Sequence, residues 1–525
     1  MARKECSLNI ASYPRSIKRK KGAMLLLMVG ALFLITLLTV AVLTVTTGSI
    51  YSNNKQQYRA IALNIAESGA EVAALWLRDQ AYPPTQTTAF DPLGGVRSLG
   101  GGTYSVTITP DLDNNSVFLK TYRIVSIGSF SGASKSVEVV VRQASFGRFA
   151  YFTDSECSSV DNDQIWWKAG EVVDGPIHSN NSNKSNFNIN YNGSKSPIFQ
   201  DIVTAAGPTI NYTPSRPKNE DTFKRVFKNG SKGYKLGVPR IELPPSTDAQ
   251  RNAAWGNSAG LPSTTGVYMR ADSDGGIYIV GDSAIHLAVD NSGNQQIVVT
   301  QVVKRKTQVT TITMDKQSGA TTVTGPVGAG SSTSSTTWPN GVVYTTGNIT
   351  SLDGVVADNK VYDGEIEKKS EITIATDVNA GKDINVTGNI KYNTRPDKTK
   401  DSDDPSNLAA GTLGLVARDI IIDSSAPQNL EIDAVCLAGG QNTTDGSFFV
   451  ENYSSKKPIG TLTVLGGIIQ KSRGPVGTFD PDTGKTTSGY AKNYSYDPRL
   501  AQTPPPFYPT TGQYDRLSWR ILPDN

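Results

Sequence analysis

The sequence predicts a mainly β chain carried behind one long N-terminal α-helix. Three observations predict it. An uncharged run from Gly22 to Asn54 continues into a segment with helical spacing of apolar residues. Residues 101–142 then alternate polar and apolar. The remainder breaks into short β-rich runs punctuated by Gly, Asn and Asp.

The helix comes first. MLLLMVGALFLITLLTVAVLTV, within the uncharged run, is long enough to cross a hydrocarbon core of roughly 30 Å, and Lys18, Arg19, Lys20 and Lys21 stand directly before it. The positive-inside rule then puts the N-terminus in the cytoplasm and everything beyond about Ile50 on the far side of the membrane. A cleaved signal peptide fits less well, because the run exceeds the usual apolar region and no A-x-A site follows it. Ile61, Ile65, Val72, Leu75 and Trp76 keep helical spacing, so one helix is expected to leave the bilayer and become amphipathic. Its expected packing residues are Leu25, Leu26, Leu32, Leu37 and Val40, in lipid or against other helices, with Glu67 and Glu71 facing polar partners.

Composition narrows the rest. The net charge of +4 is concentrated in the first 21 residues, where seven basic residues face only Glu5, so the remainder is slightly acidic. That excludes the basic stripe of a nucleic-acid binder, and no nucleic-acid partner is expected. The 3 cysteines give neither a metal spacing nor a disulfide framework, although Cys157 and Cys436 are available to pair in an oxidising compartment. The 2 histidines, His178 and His286, exclude a centre of three His ligands. His178, in GPIHSNN, is expected to hydrogen-bond within a β rung.

GTYSVTITP, VFLKTYRIVSIGSF and SKSVEVVVRQ read as an antiparallel meander, with turns at Asp113 to Asn115 and at Gly128 to Gly132. A boundary is expected near Gln143. Beyond it come GGIYIVGD, GVVYTTGNIT, ITIATDVNAGKDINVTGNIKY, GLVARDIIIDSS and GTLTVLGGIIQ. The repeated Thr-Gly-Asn-Ile at Thr346 to Ile349 and Thr387 to Ile390 points to successive rungs of an irregular β-solenoid, with a sandwich as the alternative. DAQRNAAWG is expected to be a short helix, and the Pro-rich tail from Tyr494 to lie across the β region before a closing strand near Leu517 to Ile521. The expected segments are 1–21 basic and cytoplasmic, 22–47 transmembrane, 48–80 amphipathic helix, 81–143 meander and 144–525 β-rich ectodomain.

Basic residues, then Gly22, an uncharged apolar run and an Ala-rich extension containing AESGAE resemble the N-terminal region of type IV pilus assembly minor-pilin-like proteins. The resemblance implies a pilin-like α+β head, partners among other pilin-like subunits, and cleavage after Gly22 to leave Ala23 first. Leu27 stands where such proteins usually carry a Glu, a departure shared by some minor-pilin-like families. From about Phe146 to the end, FAYFTDSE, GPIHSNN, GGIYIVGD, YDPRL and PPPFYP resemble an uncharacterised bacterial domain family with no established activity, so the resemblance supports architecture rather than chemistry.

The chemical motifs are weak. Gly256 to Gly260 spell G-x-S-x-G, with His286 downstream, but a nucleophile elbow needs a strand before Ser258 and the expected helix precedes it. Gly477 to Thr486 imitates a phosphate loop with two extra residues and Pro481. Acidic clusters at Asp111 and Asp113, at Asp272 and Asp274, at Asp401, Asp403 and Asp404, and at Asp480 and Asp482 lack the closing Glu of a helix-loop-helix Ca²⁺ loop, since the twelfth positions are Tyr122, Ser283, Thr412 and Ala491. Asp480 with Asp482 is the best irregular metal candidate. Trp166, Trp167, Tyr278 and Phe448 are candidate sugar-stacking surfaces. No catalytic residue or cofactor is expected. The first reading is a non-enzymatic anchored component presenting its β domain outside the cytoplasm, with membrane lipid and other pilin-like subunits as partners and surface glycans as further candidates. The alternatives are a tethered adhesin and a β-helix carbohydrate-active enzyme.

Overall fold

The computed structural model describes residues 21–523 apart from 81, 82, 85, 112–118, 182–185, 194, 256–259, 270–274, 330, 338, 363, 364, 369, 402, 403, 441–444, 456 and 481. The chain is mostly β with one long N-terminal helix, a head sheet and a solenoid-like β region.

Helix α1 (Lys21–Arg78) has 58 residues and so extends roughly 87 Å at 1.5 Å per residue. It contains no proline. Its threonines return their hydroxyls to the preceding turn, Thr39 to Ile35 O and Thr44 to Val40 O at 2.7 Å each, so they present little free polarity. Every residue from Gly22 to Gln57 is exposed. From there the helix docks: Ala62, Ile65, Ala66, Ala70, Ala73 and Leu77 are buried, one stripe at helical spacing.

The stripe lies on an antiparallel sheet of β1 (Arg97–Leu99), β2 (Gly102–Pro110), β3 (Thr121–Phe130), β4 (Ala133–Ser145) and the terminal strand Thr510–Ile521, in that order. Val106, Ile108, Tyr122, Ile124, Val137 and Val139 supply the sheet's half of the core, on alternate positions as a half-buried strand requires. Small residues let helix and sheet approach closely. A Cβ on Gly128 would collide with the Ala62 carbonyl and lie 2.5 Å from the Ala66 nitrogen.

The terminal strand differs from the expected segmentation. It does not close the ectodomain but pairs antiparallel with β4, through Asp515 to Arg142 and Trp519 to Val139. The solenoid is therefore inserted between two neighbouring strands of the head sheet. β4 also continues past Gln143 to Ser145, where the turn Phe146–Arg148 begins.

The chain enters the solenoid in its middle. β5 (Tyr151–Ser158) starts an outgoing arm of parallel strands, Ile177–Ser179, Val203–Ala205 and Tyr234–Leu236. After Tyr234–Leu236 comes a helix at Asp248–Trp255, and the next strands lie at the opposite end of the stack. The returning arm then stacks Ile277–Val280, Val342–Thr345, Glu371–Thr376, Thr412–Ala417, Leu430–Ala438 and Pro458–Arg473, all parallel. Pro458–Arg473 pairs parallel with β5, which joins the arms. A second ladder runs from Ser283–Val289 through Ile349–Val356 to Ile384–Tyr392, and continues by the first halves of Leu430–Ala438 and Pro458–Arg473 to Thr486–Tyr496 and Val172–Asp174. The Thr-Gly-Asn-Ile repeats do fall on adjacent rungs, but out of register, since Ile349 pairs with Ile384.

Several rungs are buried on both faces because the crossover and the Pro-rich tail cover the outside. Tyr508 and Leu500 from the tail join Tyr278, Tyr344, Val416 and Leu437 in one cluster. Antiparallel strands Gln295–Val303 and Lys306–Met314 close the far end, burying Ile297, Val299, Ile312 and Met314 in the main core.

Candidate functional site

The first candidate surface is the free half of α1. Gly22 and Ala23 are exposed, as are Leu25 (67%), Leu26 (77%), Leu32 (63%), Leu37 (55%) and Val40 (63%). The helix is long and apolar enough to cross a membrane and fits a single-pass anchor. Where it meets the head, Glu71 pairs with Arg516 of the terminal strand, and both lie with Glu67 and Trp519 along a shallow groove between helix and sheet.

The second candidate is a cleft of about 230 Å³ at the seam of the two arms. Residues within 161–171 after β5, residues 474–479 after Pro458–Arg473, Tyr453, and Tyr490 and Lys492 of Thr486–Tyr496 line it. Glu171 and Lys492 form an ion pair at 2.9 Å on the cleft lining. Lys492 Nζ also lies 5.4 Å from the Trp167 ring centroid. Burial holds the Lys492 ammonium below the usual lysine range, against the pull of Glu171. Trp166, Tyr453 and Phe479 stand half-buried around the lining, and Asp161, Asp163 and Gln164 are exposed at its edge. The Tyr453 hydroxyl donates to Asp161 Oδ2 at 3.2 Å. Beneath, Arg473 pairs with Glu156 at 3.0 Å with both side chains fully buried, and its guanidinium lies 4.1 Å from the Trp167 ring centroid.

Of the four aromatic residues singled out from sequence, only Trp166 reaches this cleft. Trp167, Tyr278 and Phe448 are core residues, at 0%, 2% and 1% exposure. Tyr453, Phe479, Lys492 and Glu171 escape sequence reasoning because distant segments bring them together. The adjacent tryptophans are the one local signal.

The remaining candidates separate. His178 bonds Thr204 of the next rung at 2.9 Å and Asn180 at 3.0 Å, and burial lowers its pKa. His286 pairs with Asp353 at 2.8 Å across adjacent rungs; Ser258 lies outside the described residues. Asp480 Oδ1 accepts from the backbone of Asp482 and Thr483 at 2.9 and 2.8 Å, a turn that uses the oxygen a metal would need. Among the described residues no cluster of three or more His, Cys, Asp or Glu has a geometry able to hold a metal. Asp113, Asp272, Asp274 and Asp403 lie outside them. Cys157 and Cys436 do not pair: both are free, Cys157 on β5 and Cys436 in the core of Leu430–Ala438.

Fold and surfaces together define a β-rich protein on a single apolar helix, with its large domain inserted in a small head sheet. Residues 121–208 match a family described as a domain of unknown function (DUF4900). The matched segment starts in β3 and ends in the outgoing arm, across the boundary between head and solenoid. No curated protein sequence matches the chain. Among solved structures, the competence-associated pilin ComZ from Thermus thermophilus is similar at 13% identity, covering 89% of this chain and 97% of that one, with a TM-score of 0.26. A likeness at that level defines neither fold nor function here.

Proposed function

We propose that the chain is a non-enzymatic, membrane-anchored, pilin-like component of a type IV pilus or related assembly. Its N-terminus lies in the cytoplasm, its helix packs among the helices of other subunits, and its solenoid-like domain is held outside for assembly or surface contact.

The observation that carries this reading is one unbroken helix that is bare below the head. Every residue from Gly22 to Gln57 is exposed; the apolar run from Met24 to Val45 extends about 33 Å, enough for roughly 30 Å of hydrocarbon, and the mostly polar Thr46 to Asn54 carry the same helix on toward the head. A span continued rigidly into the folded head is the build that lets such helices pack side by side. The unbroken passage of that helix onto an antiparallel sheet, through Ala62, Ala66 and Ala70, supports the same reading.

Shearing of cells tests it. The chain is expected in the sheared filament fraction together with other pilin-like subunits. Retention in the inner membrane alone would instead support a tethered adhesin.

A further inference from the structure

We propose that the seam cleft binds one neutral pyranose residue of a surface glycan. The inference goes beyond the pilin-like reading and does not depend on how the helix is processed or assembled.

The chemistry of the lining carries it. A pyranose ring offers apolar C–H faces and a rim of hydroxyl groups, so its site needs aromatic surface beside planar polar groups. Trp166, Tyr453 and Phe479 supply partly exposed aromatic surface, while Asp161, Asp163 and Gln164 stand at the edge as hydrogen-bonding groups.

Charge selects a neutral ligand. Glu171 neutralises Lys492 at 2.9 Å, and the remaining cation, Lys168, which donates to the Gly484 carbonyl at 3.0 Å and lies 5.8 Å from the Phe479 ring centroid, is outweighed by Asp161 and Asp163. An anion entering would meet Asp161 and Asp163 first. Size suits a single ring: about 230 Å³ is below the roughly 300–1,000 Å³ of sites for larger small molecules.

Placement also fits. The lining comes from both arms, with Trp166 following β5 and Phe479 and Lys492 following the last returning strand. The buried ion pair of Arg473 and Glu156 holds those strands together beneath it.

Saturation-transfer NMR on the full chain in lipid nanodiscs, free of glycosidic detergent, tests this. The probes are the methyl glycosides of glucose, galactose, mannose and N-acetylglucosamine, with glucuronate as the charged counterpart. At least one neutral glycoside is expected to receive saturation and glucuronate none. Trp166→Ala and Phe479→Ala are each expected to weaken binding at least about tenfold, the scale of one lost ring contact. Trp519→Ala, on the head, is expected to leave it unchanged. Asp163→Asn, at an exposed position, is expected to weaken binding several-fold and keeps the test valid if an aromatic variant misfolds. Silence from all four glycosides, equal transfer to glucuronate, or full binding by a folded Trp166→Ala or Asp163→Asn chain overturns the proposal.

Discussion

Arg473 and Glu156 meet at 3.0 Å with neither side chain exposed to solvent. Arg473 ends the last long strand of the returning arm, and Glu156 lies on β5, where the outgoing arm begins. The pair thus closes the joint at which two arms become one stack. Burial of two charges has a large desolvation penalty, which the contact offsets only while both partners remain. The 4.1 Å separation of the guanidinium from the Trp167 ring centroid adds to that compensation.

Glu156→Gln or Arg473→Met alone therefore removes the counter-charge from a buried ion and is expected to lower stability by about 3–5 kcal/mol. The double variant Glu156→Leu with Arg473→Met is expected to recover most of the loss. Denaturant midpoints of the three variants check this. A double variant no more stable than the worse single one would show that the pair is not what the singles disturb.

Gly128 tests the docking of α1. A side chain there enters the backbone of Ala62 and Ala66, so Gly128→Val is expected to destabilise the helix-to-sheet contact by about 1–3 kcal/mol. Hydrogen exchange reads the effect by place. Amides of residues 61–77 should lose protection while those of Leu430–Ala438 keep theirs.

His178 gives a pH dependence with a defined sign. Burial holds its folded pKa below the ordinary value of 6.5, so the unfolded chain binds the proton more readily. Its contribution is fully present above pH 6.5 and is lost as pH falls through the lower folded pKa. Thermal midpoints measured from pH 7.5 to 5 are expected to fall less steeply for His178→Asn than for the unaltered chain.

Much of the architecture was legible because it is written locally. The uncharged run marks α1, alternation marks β2 to β4, and DAQRNAAW marks the helix Asp248–Trp255. The order of rungs was not legible. Nothing in the residues of β5 says that its parallel neighbour is Pro458–Arg473, since any buried strand of that composition fits the same core. For the same reason the terminal strand read as part of the ectodomain, although its backbone pairs with β4. Trp166 was legible as an aromatic candidate by type, but Trp167 beside it is core, and only the fold tells the two apart. Tyr453 and Phe479 carry no signal apart from their placement.

Mass spectrometry of the mature N-terminus reads whether α1 is the pilin-type helix proposed above. The chain is expected to begin at Ala23, cut after Gly22. A chain that keeps Met1 or Ala2 in assembled material overturns the proposal.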